Sequence, residues 1–129
     1  MNPGRPHILI LDDEERIREL LAHFLEDFDE FAVSVADSGE QALADLAGWP
    51  ADVAVVDMRL PGMSGTEFIV AAARDGVCRR FVVHTGSNEL VLTEELAGLG
   101  LSERDIFYKP AGADRILGRI RELLSQGGR

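Results

Sequence analysis

Five short apolar runs, each followed by a stretch of helical period, constrain this chain more than any other feature of it. His7 to Leu11 is apolar throughout after its first residue, which suits a strand covered on both faces rather than one half exposed. Ile17, Leu20, Leu21, Phe24, Leu25 and Phe28 then recur at helical spacing, predicting an amphipathic helix over 14–28. Phe31 to Ala36, rich in β-branched and aromatic residues, reads as a second strand. Ser38 with Gln41 three positions on is a capping-box signature that opens a helix running to Leu46, and Trp49-Pro50 ends it, the Trp serving packing. Val53 to Val56 is a third strand. Pro61-Gly62 and Ser64-Gly65 mark a loop before a helix over Thr66 to Arg74. Phe81 to His84 is a fourth strand, and a helix falls within 88–98. Ile106 to Tyr108 is a short fifth strand, and 113–125 is a last helix with Ile116, Leu117, Ile120, Leu123 and Leu124 inward.

Strands alternating with helices at this spacing imply right-handed crossovers and a parallel sheet covered on both faces. The expected fold is therefore α/β, a three-layer sandwich around a five-stranded parallel sheet. A length of 129 residues fits one such domain, expected over 7–125 with short tails at 1–6 and 126–129. No apolar run approaches the roughly 20 residues a membrane helix needs, and Met1 to Pro6 is too polar for a signal peptide. A soluble, cytoplasmic protein without a membrane partner is the expectation. Cys78 stands alone, so neither a disulfide framework nor a thiolate metal cluster is expected, and burial as a small apolar residue is its simplest role. Acidic residues outnumber basic ones 23 to 13, a formal charge of −10 that opposes direct contact with nucleic acid.

Ligands of open parallel sheets bind outside the carboxyl ends of the strands. Here those ends carry Asp12-Asp13, Asp57, His84-Thr85-Gly86 and Lys109-Pro110, and Lys109 is the chain's single lysine. Carboxylates brought together without compensation raise one another's pKa values and destabilise the fold, which a hard divalent cation relieves. With no Cys nearby and no His pair at ligand spacing, Mg²⁺ suits this set better than zinc. A carboxylate facing a cation and a lysine can act as a nucleophile toward phosphorus, in a reaction that needs charge neutralisation and positioning more than acid–base chemistry. Thr85 and the Gly86 amide are placed to donate to phosphate oxygens, with Gly62 and Gly65 keeping the loop beside Asp57 compact.

Ile8-Leu9-Ile10-Leu11-Asp12-Asp13-Glu14, Val55-Val56-Asp57-Met58-Arg59-Leu60-Pro61-Gly62-Met63-Ser64-Gly65, Thr85 and Tyr108-Lys109-Pro110 stand in order at successive strand ends. In these pieces the chain resembles the receiver domains of bacterial two-component response regulators over essentially its whole length. The resemblance implies the flavodoxin-like strand order 2-1-3-4-5, for which a receiver is a worked example. It implies Asp57 as phosphoacceptor, Asp13 as a direct Mg²⁺ ligand, Asp12 acting mostly through water, the Arg59 backbone carbonyl as a further ligand, and Thr85 and Lys109 as the pair that contacts the phosphoryl group. It also implies a donor that is a histidine kinase or histidine phosphotransfer protein, with weak autodephosphorylation and no dedicated metabolic reaction. Output would run through the helix 4, strand 5 and helix 5 face, to a downstream effector or a homodimer.

Three departures stand out. Receivers usually carry an aromatic residue three positions before the lysine, where this chain has Ile106; Tyr108 shares its sheet face and is the candidate substitute. Gly98-Leu99-Gly100-Leu101 replaces a common Gly-Ala turn, and two glycines there suggest a mobile helix end. Arg59 and Ser87 occupy positions that tune phosphoryl lifetime. Read singly, each motif has a plainer meaning: charge at a helix N-terminus, a turn residue, a cap, the stop of a strand. The same holds for His7, His23 and His84, no two of which share ligand spacing. A receiver-like interaction module that has abandoned phosphorylation is the main alternative, with two others disfavoured: Asp12 to Glu15 would repel the phosphate of a flavin, and Asp57-Met58-Arg59 lacks the second acid of an aspartate-nucleophile phosphatase.

Overall fold

A computed structural model describes residues 4–86 and 92–127. Strands β1 (His7–Leu11), β2 (Ala32–Ala36), β3 (Val53–Val56), β4 (Phe81–Thr85) and β5 (Ile106–Tyr108) form one parallel sheet in the order β2-β1-β3-β4-β5. Helices α1 (Glu15–Glu26), α2 (Gly39–Gly48), α3 (Gly65–Asp75), α4 (Glu94–Gly98) and α5 (Ala113–Gly127) connect and cover the strands, with a 3₁₀ turn over Glu103–Asp105 before β5.

Strand alternation decides which layer each side chain serves. Leu9, Leu11, Ala54, Val56, Phe81 and Val83 face a core completed by Leu46, Phe68, Ile69 and Leu96 from α2, α3 and α4. Ile8, Ile10, Val53, Val55 and Val82 face the opposite way, against Leu21 and Leu25 of α1 and Ile116 and Ile120 of α5. All five residues of β1 are buried, as its unbroken apolar run requires. The helices end by local rules. Ser38 caps α2 by accepting from the Gln41 amide, and Ser64 with Glu67 forms a reciprocal capping box on α3. Gly100 holds φ +100° while its amide donates to the Ala97 carbonyl and the Leu101 amide to the Leu96 carbonyl. That is a Schellman closure, with Leu101 returning to the core beside Leu96, where two glycines had suggested a loose end.

Some boundaries move. The first helix stops at Glu26, leaving Phe28 beyond it and 41% exposed, and the second strand begins at Ala32. Leu20, expected inward, is exposed. The helix expected within 88–98 is seen as α4, Glu94–Gly98 with Thr93 as its N-cap; positions 88–91 of the expected range, and Ser87, lie outside the described residues. Trp49 packs as expected. Its ring stacks on His7 at 3.5 Å, and His7 Nδ1 donates to the Pro50 carbonyl while Nε2 accepts from the Ser34 hydroxyl. His7 is thereby a structural pin between β1, β2 and the α2–β3 connection. Cys78 is buried and its thiol is pushed up to about 12 by burial, so thiolate chemistry is closed to it.

One buried ion pair ties the last two elements together. Asp105, at the end of the 3₁₀ turn, accepts from Arg119 Nε of α5 at 2.7 Å on one oxygen and from the Ser102 amide at 2.8 Å on the other. Arg119 also reaches Glu122, which Arg104 contacts from outside. Among the described residues no helix is long and apolar enough to cross a membrane.

Candidate functional site

The sheet ladder continues one residue past its strands. The Asp12 amide donates to the Ala36 carbonyl, the Asp57 amide to the Leu11 carbonyl at 2.9 Å, and the Lys109 amide to the Thr85 carbonyl at 2.8 Å. Asp12, Asp57 and Lys109 are thus fixed by neighbouring strands at one edge of the sheet. Carboxylate oxygens of Asp12, Asp13 and Asp57 come within 4.8 Å of one another there. Asp12 and Asp57 are buried while Asp13 is exposed, and Thr85 is fully buried at the end of β4.

Lys109 stands among the carboxylates. Its Nζ lies 3.0 Å from Asp12 Oδ2, 3.1 Å from Asp57 Oδ2 and 2.7 Å from Glu14 Oε1. Burial opposes its charge, but the hydrogen bonds to Glu14 and Asp12 outweigh burial and hold the ammonium above the ordinary lysine range. Burial pushes the Asp12 carboxyl above its ordinary 3.8, against the pull of the Glu14 amide and Lys109, and Asp57 adds repulsion. The second Asp57 oxygen, Oδ1, accepts from the Arg59 amide at 3.1 Å, so that backbone is anchored on the acidic edge while the Arg59 side chain is exposed.

Gly65 makes this edge possible. A Cβ at that position would stand 2.5 Å from the Asp57 carbonyl oxygen and 2.7 Å from the Met58 Cα, contacts that no side chain tolerates. Gly62 takes φ +75°, open to glycine at little cost, and the adjoining Met63 amide donates to Glu40. The loop is therefore folded back on β3, with the Gly65 amide donating to the Met58 carbonyl.

The structure brings together Asp12, Asp13, Asp57 and Lys109, with Thr85 paired through the backbone to Lys109. Glu14 was not among the expected site residues. Its signal was in the acidic run after β1, where a third carboxylate two positions past Asp12 can turn back to the strand end. His84 falls on the sheet face opposite Thr85, as alternation dictates, one position past the Val56–Val83 pair and close enough to Lys109, Asp57 and Glu14 to feel their charges.

Three acidic side chains with only oxygen donors suit a hard divalent cation. The raised Asp12 value means that its ionisation costs the metal-free fold stability. That cost is absent below the ordinary value and grows as pH rises through the raised one. A cation should therefore raise the melting temperature more at pH 7 than at pH 4. Asp13→Asn should stabilise the metal-free chain by about 1 kcal/mol, the scale of one unit charge pair at contact in water-like surroundings, and should lose most of the Mg²⁺-induced gain. Thermal unfolding in EDTA and in Mg²⁺ measures both; an Asp13→Asn chain that responds to Mg²⁺ like wild type would refute the cluster as a cation site.

Comparison with known proteins agrees with this geometry. The chain is 32% identical over 127 residues to the "Sensory transduction protein RegX3" of Mycobacterium tuberculosis, covering 94% of this chain and 52% of that protein. It is 32% identical to the "Transcriptional regulatory protein TcrA" of the same organism, covering 93% and 46%. The chain thus spans about half the length of these relatives. Among solved structures, a receiver domain protein (CheY-like) from Methanospirillum hungatei superposes with a TM-score of 0.78 at 25% identity, covering 95% of this chain and 96% of that one. The response regulator StyR has the same fold, with a TM-score of 0.83 at 24% identity. The family model for the response regulator receiver domain matches residues 8–121, from the strand that delivers Asp12 to the helix that packs behind Lys109. The chain belongs to the response regulator receiver domain family of two-component systems.

Proposed function

We propose that this chain is a phosphorylatable switch in which Asp57 accepts a phosphoryl group from a histidine kinase or a histidine phosphotransfer protein. The observation that carries the reading is the meeting of the Asp12, Asp13 and Asp57 carboxylates within 4.8 Å, two of them paired with the one lysine of the chain. Asp12, Asp13 and Asp57, with the Arg59 backbone carbonyl, would hold Mg²⁺. When bound, the ion supplies positive charge for the incoming phosphoryl oxygens. Asp57 is the nucleophile: it is buried, its amide is tied to β1, and its Oδ2 faces Lys109. Lys109 neutralises charge on the phosphoryl group once it exchanges a carboxylate partner for a phosphate oxygen. Thr85 donates a hydrogen bond to a phosphoryl oxygen.

In this reading the domain extends over 7–125, lies in the cytoplasm, and is a self-phosphorylating signalling domain with weak autodephosphorylation rather than a metabolic enzyme. Output runs through the α4, β5 and α5 face to an effector protein or a second copy, without direct contact with nucleic acid or membrane. Tyr108, 53% exposed on β5, belongs to that face where Ile106 replaces the usual aromatic. Incubation with acetyl phosphate and Mg²⁺, followed by intact-mass measurement, should show gain of a single phosphoryl group that EDTA prevents. No gain with Mg²⁺ would instead leave the phosphorylation-independent interaction module, and an undiminished gain in EDTA would refute the need for a cation.

A further inference from the structure

Between α1 and the segment joining β5 to α5 lies a cleft of about 600 Å³. Ile17, Leu20 and Phe24 of α1 form one wall, and Pro110, Ala113 and Ile116 form the other. Leu20 is 65% exposed on its lip. A large apolar side chain standing in water beside an open apolar cleft leaves both unused for burial.

The charges of the same helix select what covers it. Arg16, Leu20, His23 and Asp27 are all exposed and follow one another at spacings of four, three and four, so they share one face of α1. Asp27, the C-cap, still has helical φ and ψ of −63° and −22°. Neither Arg16 nor Asp27 has an ion-pair partner among the described residues. The face is therefore positive at one end, apolar at Leu20 and negative at the other end. A twofold axis lays a second copy of this helix antiparallel on the first, bringing the partner's Asp27 to Arg16 and the partner's Arg16 to Asp27. In the same register Leu20 comes opposite the partner's His23, one position from the partner's Phe24, and so into the mouth of the partner's cleft. Parallel helices would instead set arginine on arginine and aspartate on aspartate. A helix of another protein would have to carry this order of charge in reverse; this chain already does.

We propose that a second copy of this chain covers the cleft, in an antiparallel α1–α1 dimer held by two reciprocal Arg16–Asp27 pairs and by Leu20 of each copy in the cleft of the other. Two helices of 12 residues, each about 18 Å long, bury less than the roughly 1,200 Å² at which standard interfaces begin, so the dimer is weak and reversible. It uses neither Asp57 nor its phosphorylation, and it lies on a different face from α4, β5 and α5.

Sedimentation equilibrium of the full, unphosphorylated chain from about 10 µM to about 1 mM, the range of weak association, should show a reversible monomer–dimer equilibrium. Arg16→Asp and Asp27→Arg each set like charges against one another across the twofold axis and should each weaken the dimer about tenfold. Both suit the helix dipole, an acid in the first turn and a base at the last, so the fold should tolerate them, which circular dichroism checks. An equimolar mixture of the two variants should associate as well as wild type, because each then supplies the charge that the other has lost. Leu20→Glu, at an exposed position, should leave a folded monomer. A wild-type chain that stays monomeric at about 1 mM would overturn the proposal and leave the cleft to a different protein. So would a dimer that survives Leu20→Glu, or a mixture of the charge variants that associates no better than either alone. A dimer that Tyr108→Glu removes and these substitutions spare would put the contact on β5 and overturn it equally.

Discussion

Asp57→Asn is expected to abolish the incorporation of a phosphoryl group from acetyl phosphate that is expected of the wild-type chain with Mg²⁺. The reaction forms a bond between a carboxylate oxygen of Asp57 and phosphorus while the bond from phosphorus to the acetate oxygen breaks, and acetate leaves with that electron pair. An amide of nearly the same volume fills the same space but offers a neutral, much weaker nucleophile. No neighbour can take over. Asp12 is buried and committed to Lys109 and the Glu14 amide, and Asp13 is exposed outside the lysine's reach among the described contacts. The fold should survive, because the substitution removes one of two buried like charges held by a single ammonium. Intact-mass measurement of both chains, with circular dichroism to establish folding, checks the result. Equal labelling of the two would sink the assignment of Asp57.

The largest stability effect is expected at Arg119. Arg119→Ala should cost about 3–5 kcal/mol, because Asp105 would then keep a buried charge without its guanidinium partner. Asp105 is only 2% exposed, and the Ser102 amide and hydroxyl would be left to satisfy its carboxylate. Against a total stability of roughly 5–15 kcal/mol for a domain of this kind, such a loss is severe. The melting temperature should fall by on the order of 10–20 °C. Removing both charges, as Asp105→Asn with Arg119→Met, should recover most of the loss, since the penalty comes from the orphaned partner and not from the absence of a pair. Urea unfolding of the two single variants and the double variant measures this; a cost below about 1 kcal/mol for Arg119→Ala would refute it.

The fold and the site edge were legible for different reasons. Element order follows from period, which is local: five residues at His7–Leu11 suffice to tell a doubly covered strand, and Ser38 or Ser64 announces a helix within four positions. Because parallel strands all end at the same edge, a list of strand-terminal residues already contained Asp12, Asp57, Thr85 and Lys109. What stayed hidden depends on distance along the chain. Glu14 meets Lys109 across 95 positions and Arg121 meets Glu30 across 91, and nothing in either neighbourhood announces its partner. Arg119 reads on the helix as one more solvent-facing cation, yet it pairs inward with Asp105. Leu20 satisfies helical spacing and still faces outward, since the apolar stripe of α1 is wider than the sheet beneath it can cover. His84 could have been placed by counting from Thr85, but its ring nitrogens' lack of hydrogen-bond partners among the described residues is a property of packing and not of strand period.

The backbone amides of Asp57 and Lys109 are secured by carbonyls of the adjacent strands, before either connecting loop begins. Lengthening or rewriting the stretch that follows β4 therefore need not shift the Asp57 carboxylate or the Lys109 ammonium, whereas the loop after β3, with the Arg59 amide on Asp57 and Gly65 against its carbonyl, has to be kept. Edge and recognition can be altered separately in such a molecule: a designer may graft a foreign connection after β4 for new partners while the carboxylates and the ammonium keep their register.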